Sequence, residues 1–279
     1  MTDENIPEEN DLQGKESNLP SLPIDSSTMR EIYHDIGKPA SKEFGKALQT
    51  VGQAVNLGLE PFRLMIWGYD KIKTVIEEKI PPRLKNTPPE NITTPKPSVA
   101  VPTIEALRYV GEEEYLCDMY ANLLASSMDK STKDGALPAY AEIIKQLTSD
   151  EARILKYISL DIKKPIPIID ITSIEKNNVK GGIRHHVRNI SLLGVLAKCE
   201  VPLLTSIYID NFIRLGIAEI PYGNSYTNKT IYHDLKNHED VKNYINEINE
   251  TYPNRKVKIN EKTFQITNFG INFIHICVQ

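Results

Sequence analysis

The sequence predicts a mostly α protein, with a helical amino-terminal half and a winged-helix-like α+β carboxyl-terminal domain. Three observations predict it. Apolar residues recur at steps of three and four from Leu48 to Ile80, and a run of prolines from Pro81 to Pro102 interrupts the chain. After Thr148, helical and strand patterns follow in the order helix, helix, strand, long excursion, strand, helix.

Residues 1–28 are rich in Glu, Asp, Asn, Ser and Pro and poor in large apolar groups, the composition of a disordered acidic tail. Residues 29–80 then form a long amphipathic helical segment. Its stripe includes Leu48, Val55, Leu59, Phe62, Ile66 and Tyr69, and the chain's only tryptophan, Trp67, lies on the flank just after Pro61. At Phe62 to Tyr69 the segment is apolar nearly all round, which predicts a helix surrounded by protein. Three roles stay open for it: core packing, partner binding and membrane action.

Seven prolines between residues 81 and 102 favour an extended connector over 81–101. Residues 102–147 read as a helical hairpin packing on the amino-terminal helix. Pro102 suits a first helical position, and Tyr115, Leu116, Met119, Tyr120, Leu123 and Leu124 share one face of a helix over 112–128. Thr148 followed by Glu151 has capping-box spacing and opens the 148–279 domain with a helix. Residues 163–174 read as irregular or a short strand, and 181–200 as a helix opened by two glycines. Residues 202–220 turn from helix to strand after Gly216, and a strand at 264–266 feeds a final helix capped by Thr267 or Asn268.

Composition restricts the chemistry. The formal net charge is −4, and residues 1–40 hold nine acids against three bases, so no strong basic footprint of a nucleic-acid binder is present. Cys117, Cys199 and Cys277 lie far apart without metal-ligand spacing, which suits a reducing cytoplasm. The acidic start lacks an export signal, and no run supplies the ~20 apolar residues of a spanning helix. A cytoplasmic protein is expected.

No phosphate loop, zinc motif, Ca²⁺ loop or serine-hydrolase elbow occurs, and no arginine is followed by a histidine with four to six residues between them as in many defence nucleases, Arg30 and His34 having three. No catalytic, metal or cofactor residue is therefore assigned, and no cofactor is expected. Lys180, Arg184, His185 and Arg188 are a weak anion-binding candidate, set against the plainer reading of a glycine turn with a solvated basic face. The stretch 202–216, which would serve as a recognition helix, offers Arg214 as its one base, offset by Asp210, so nucleic acid is the less favoured partner.

The stretches GKALQTVGQAVNLGLEPFRLMIWGYDKI, PPENITTPKPSVAVPTIEALRYVGEEEYLCDMYANLLASSMDK and PAYAEIIKQLTSDEARIL resemble the Abi-alpha family of bacterial proteins, named for a proposed link to abortive infection by phage. The resemblance covers about residues 37–155. It implies a phage-defence setting and supplies no catalytic residues. The function expected is defence through protein interaction, with a protein partner or self-association, rather than catalysis. The alternatives are a membrane-perturbing effector using residues 44–80 and a winged-helix DNA-binding regulator.

Overall fold

The computed structural model of the chain describes Ile72 and residues 78–107, 109–110, 113–177 and 182–279. The 1–28 tail and the stripe from Leu48 to Tyr69 lie outside the described residues. Of those described, about 53% are helical and 17% are strand.

The first five helices of the described chain surround one of their number. They are α1 (Ile80–Leu84), α2 (Pro97–Leu107), α3 (Glu114–Met128), α4 (Ala139–Ile144) and α5 (Ser149–Ile158). Helix α3 packs against the other four and against the carboxyl-terminal helix α10 (Asn268–Cys277). Ten of its residues are buried, well beyond the single face that the sequence pattern picks out, because neighbours arrive on several sides. Tyr140 of α4 meets Phe273 of α10 edge-on at 5.1 Å.

Residues 81–101 depart from the extended connector expected. Pro81 and Pro82 sit in the first turn of α1, where a missing N–H breaks no helical bond, and α2 begins at Pro97 with Pro102 inside it. The cap at Thr148 forms as its spacing predicts: Glu151 N–H donates to Thr148 Oγ1 at 3.2 Å and Thr148 N–H to Glu151 Oε2 at 2.7 Å. Thr148→Ala is expected to lower stability by about 1 kcal/mol, read from the urea midpoint.

The carboxyl-terminal half corrects the winged-helix expectation. Its centre is a curled four-stranded antiparallel half-barrel. The strands β1 (Ile166–Glu175), β2 (Arg184–Ile190), β3 (Ala218–Glu219) and β4 (Arg255–Ile266) lie in the order β2-β1-β4-β3. A wing would be a hairpin following the second helix, whereas here β4 pairs along its length with β1, from Ile166 opposite Phe264 to Glu175 opposite Arg255. The two-residue β3 touches only the far end of β4. Residues 184–190, within the helix expected over 181–200, are strand, and the basic stretch 254–262 is ladder rather than wing.

Two register shifts on the β1–β2 ladder explain the curl, since an extra residue bends and twists its strand. Asn189 sits beside them with φ 56°, the left-handed region that asparagine tolerates. Each face of the sheet has its own core. Ile168 and Phe264 join the helical core, while Ile169 and Ile171 pack with Tyr232, Leu235, Val241 and Ile248 from the excursion. That excursion carries α8 (His233–Asn237) and α9 (Glu239–Thr251). Between β2 and β3 run α6 (Leu193–Leu196) and α7 (Thr205–Arg214), linked by a 3-10 turn over Pro202–Leu204.

Candidate interaction surface

The α6–turn–α7 unit carries an unusual amount of exposed apolar surface. Between residues 195 and 207 six large side chains, Val195, Leu196, Val201, Leu203, Leu204 and Ile207, are each more than a third exposed, Leu203 reaching 67% and Ile207 59%. Single exposed apolar groups are ordinary on a soluble protein, but a contiguous set marks a binding surface.

Local sequence builds this ridge. The inward residues of α7, Tyr208, Ile209 and Phe212, are buried, which turns Ile207 outward on the opposite side of the helix. Pro202 opens the 3-10 turn at its first position and places Leu203 and Leu204 at its tip. Gly194 allows α6 to lie against that turn, because a Cβ there would come 2.1 Å from Thr205 Oγ1 and 3.0 Å from Pro202 Cα.

A buried carboxylate holds the ridge in place. Asp150, on the first turn of α5 and 6% exposed, accepts the N–H groups of Glu200 at 2.8 Å and Val201 at 2.9 Å, and the Tyr208 hydroxyl at 3.1 Å. Arg153 donates to the same carboxylate at 2.8 Å and reaches Glu200 at 2.7 Å. Burial pushes the Asp150 carboxyl upward, but the backbone bonds from Val201 and Glu200, with Tyr208 and Arg153, outweigh it and hold the group below its ordinary value. Cys199, beside it, has its thiol pushed up to about 11 by burial and by the Asp150 charge, so it remains a thiol. Burial likewise raises Cys277, and all three cysteines are buried.

Clefts flank the ridge. A cavity of about 60 Å³ lies between Val195, Pro202 and Leu203 on one side and Val187, Leu235, Val241 and Tyr244 on the other. Across the ridge an open trough of about 500 Å³ is bounded by Leu204, Ile207 and Tyr208, with Glu151, Asn211 and Arg214 along it. The trough's polar groups are already bonded, Asn211 Nδ2 to Glu151 Oε1 at 2.6 Å and Arg214 Nη1 to Gln146 Oε1 at 2.9 Å. The unsatisfied element is apolar area rather than a polar atom awaiting a substrate.

The residues singled out in the sequence fall differently. Leu48, Val55, Leu59, Phe62, Ile66, Trp67 and Tyr69 lie outside the described residues, as does Lys180. Arg184, His185 and Arg188 are exposed on the strand β2 and do not lie in the first turn of a helix, where an anion would be cradled. Arg184 stacks over the Tyr252 ring at 4.4 Å, and His185 pairs in register with Thr172. The ridge carries no sequence motif, although Val201, Leu203, Leu204 and Ile207 stand close together in the chain. Apolar residues in a short helical stretch read as core until the partners that leave them uncovered are known.

One cluster has the residue types of a nucleophile and base. Ser173 Oγ is 2.7 Å from a His186 ring nitrogen, and Arg255 Nε donates to the same oxygen at 2.8 Å. Burial, with Arg184 and Arg255 nearby, lowers the His186 pKa and favours the neutral ring. Ser173 is 0% exposed and its oxygen is engaged by Arg255, which also bonds the Ser173 and Gly182 carbonyls. This arrangement ties the ends of β1, β2 and β4 together and leaves no path for a substrate to Oγ. Among the described residues no group of three or more His, Cys, Asp or Glu is placed to hold a metal ion, and no helix is long and apolar enough to cross a membrane.

Comparison with known proteins yields one family. The family model described as Abortive infection alpha matches residues 68–277. No curated protein matches the chain. Among solved structures, an uncharacterized protein from the hydrocarbon-degrading marine bacterium Alcanivorax borkumensis is similar at 17% identity, covering 54% of this chain and 96% of its own, with a TM-score of 0.36. That likeness is too slight to carry an argument about this fold.

Proposed function

The chain belongs to the abortive infection alpha family, and from that premise we propose that it is a phage-defence protein that acts by binding another protein through the α6–turn–α7 ridge. The observation that carries this reading is the ridge of six exposed apolar side chains held rigid by buried Asp150. A pre-ordered apolar surface binds at low entropic cost, because its side chains and loop are already fixed before the partner arrives. Leu203 and Ile207, the most exposed of the six, are the anchors, and the satisfied polar groups of the adjoining trough form part of the rim. The wide spacing of Cys117, Cys199 and Cys277 along the chain suits action in a reducing cytoplasm.

The test is an infection assay with the paired substitution Leu203→Asp and Ile207→Asp. Both side chains point to solvent, so the folded state is expected to survive, checked by far-UV circular dichroism and the urea midpoint. Phage yield is expected to rise and host survival to fall relative to the wild-type protein. A correctly folded double variant that protects as well as wild type would refute a role for the ridge.

A further inference from the structure

We propose that the uncovered end of one face of the β-sheet binds nucleic acid through its phosphate backbone, without reading bases. The site is separate from the ridge and does not rest on it. The strand register gathers there bases that the sequence scatters over β2 and β4.

Directly opposed residues of an antiparallel ladder project from the same face of the sheet. On one face Ile168 stands opposite Lys262, Asp170 opposite Asn260, Thr172 opposite Lys258 and Ile174 opposite Lys256. Across β1, Thr172 is also opposite His185, and the bulge sets Arg188 and Asn189 together against Asp170. The helical core covers this face at Ile168, whereas Lys256, Lys258, His185 and Arg188, further along it, are exposed. The excursion covers the opposite face, at Ile169 and Ile171.

Those four exposed side chains make no hydrogen bond or ion pair among the described residues. Asp170, the carboxylate of this face, is neutralised by Lys262 at 2.7 Å and accepts the Asn189 N–H at 2.9 Å. Beyond it, Asp210 of α7 accepts from Asn189 Nδ2 at 2.7 Å. Glu175 and Glu261 belong to the other face, where they pair with Arg255 and with Lys229 and Lys236. Lys256, Lys258 and Arg188 are therefore left as uncompensated charges facing solvent. By strand geometry Lys256 and Lys258 stand about 7 Å apart along β4, and Lys258 and His185 about 10 Å apart across β1, spacings that successive phosphates of one strand can span.

Phosphate contacts need only such charges. Among the described residues, Ile183 is the one exposed large apolar side chain adjoining this end of the sheet, too little for the apolar core of a protein interface or the buried face of a membrane anchor. None of the opposed residues is aromatic, so no base is stacked and binding is indifferent to sequence.

The test is fluorescence anisotropy with the full chain and labelled DNA and RNA of mixed sequence, single-stranded and duplex. Binding is expected in the micromolar range at about 50 mM salt, weakening roughly 20- to 40-fold by about 200 mM, as about three phosphate contacts require. Lys256→Glu with Lys258→Glu, two solvent-facing changes whose folding is checked by the urea midpoint, is expected to weaken binding at least about tenfold and to flatten the salt dependence. Lys256→Arg with Lys258→Arg should retain both. No anisotropy change with any of these nucleic acids at about 50 mM salt overturns the proposal, and so does binding that the glutamate pair leaves intact. Tighter binding to polyglutamate, or to vesicles of phosphatidylserine and phosphatidylcholine, also overturns it, assigning the face to an acidic protein or a membrane. Leu203→Asp with Ile207→Asp should leave nucleic-acid binding unchanged, and its loss in that variant would move the site to the ridge and overturn the sheet assignment.

Discussion

Gly270→Ala is expected to be the most damaging single methyl group in the described fold. A Cβ on Gly270 would stand 1.9 Å from the Ile217 carbonyl oxygen and 2.8 Å from its carbon. Both are backbone atoms and cannot rotate aside. The same oxygen accepts the Thr267 N–H at 3.0 Å and the Thr267 hydroxyl at 3.1 Å, so it is fixed by the cap that starts α10. Accommodating the methyl must push α10 away from Ile217, and α10 supplies Phe273, Ile274 and Cys277 to the helical core. Overpacking of well-packed sites costs about 1–3 kcal/mol, and backbone opposition places this one at about 3 kcal/mol or beyond. Urea denaturation should show the midpoint collapse, or no folded protein at all. Gly182→Ala, with nothing within 4 Å of the added carbon, is the control and should move the midpoint by less than about 0.5 kcal/mol.

Asp150→Ala is expected to come close to this in cost and to exceed it in consequence for function. Removing the carboxylate leaves the Glu200 and Val201 N–H groups and the Tyr208 hydroxyl without their acceptor, and strips Arg153 of one of its two carboxylate partners. Breaking a buried, multiply bonded charge of this kind costs about 3–5 kcal/mol. The groups released are those that position Val201 and the turn bearing Leu203, so phage protection should fall even at temperatures where the variant remains folded.

The same carboxylate predicts how stability varies with pH. Its folded pKa lies below the ordinary value, so the unfolded chain binds the proton more readily. The contribution is therefore complete above about pH 5 and declines as pH falls through the ordinary carboxylate value near 4 towards the lower folded one. Two other groups act in the same sense. Glu261 is lowered by hydrogen bonds from Lys229 and Lys236. At Asp129 burial raises the pKa, but bonds from Ser131 and Thr87 more than offset it. Urea midpoints should fall between about pH 5 and 3, and Asp150→Asn should flatten part of that decline. A wild-type midpoint that holds constant across this range would contradict the assignment.

Short-range features are legible from residues alone. The Thr148–Glu151 cap, the helix ending before Gly216 and the Thr267 cap of the last helix each depend on bonds formed within three or four residues. Order-preserving stretches around the glycines, the prolines and the Ala121–Asn122–Leu123–Leu124–Ala125 run also point to the family, which the match over residues 68–277 establishes. The central strand is harder to see because β1 is buried on both faces: Ile168 and Ile169 point to different cores, so its apolar residues do not alternate. The edge strand β2, Arg-His-His-Val-Arg-Asn-Ile, has too few apolar residues to signal any period.

The sequence by itself determined where several helices begin and end and to which family the chain belongs, since those are matters of local bonding and ordered motifs. Tertiary structure alone decided that β4 returns across almost a hundred residues to pair with β1, and that a buried aspartate on one helix holds the turn of another. It also decided that Leu203 and Ile207 face outward. Whether an apolar side chain is core or contact depends on which distant elements arrive to cover it, and burial is a property of the assembled fold that no stretch of neighbouring residues contains.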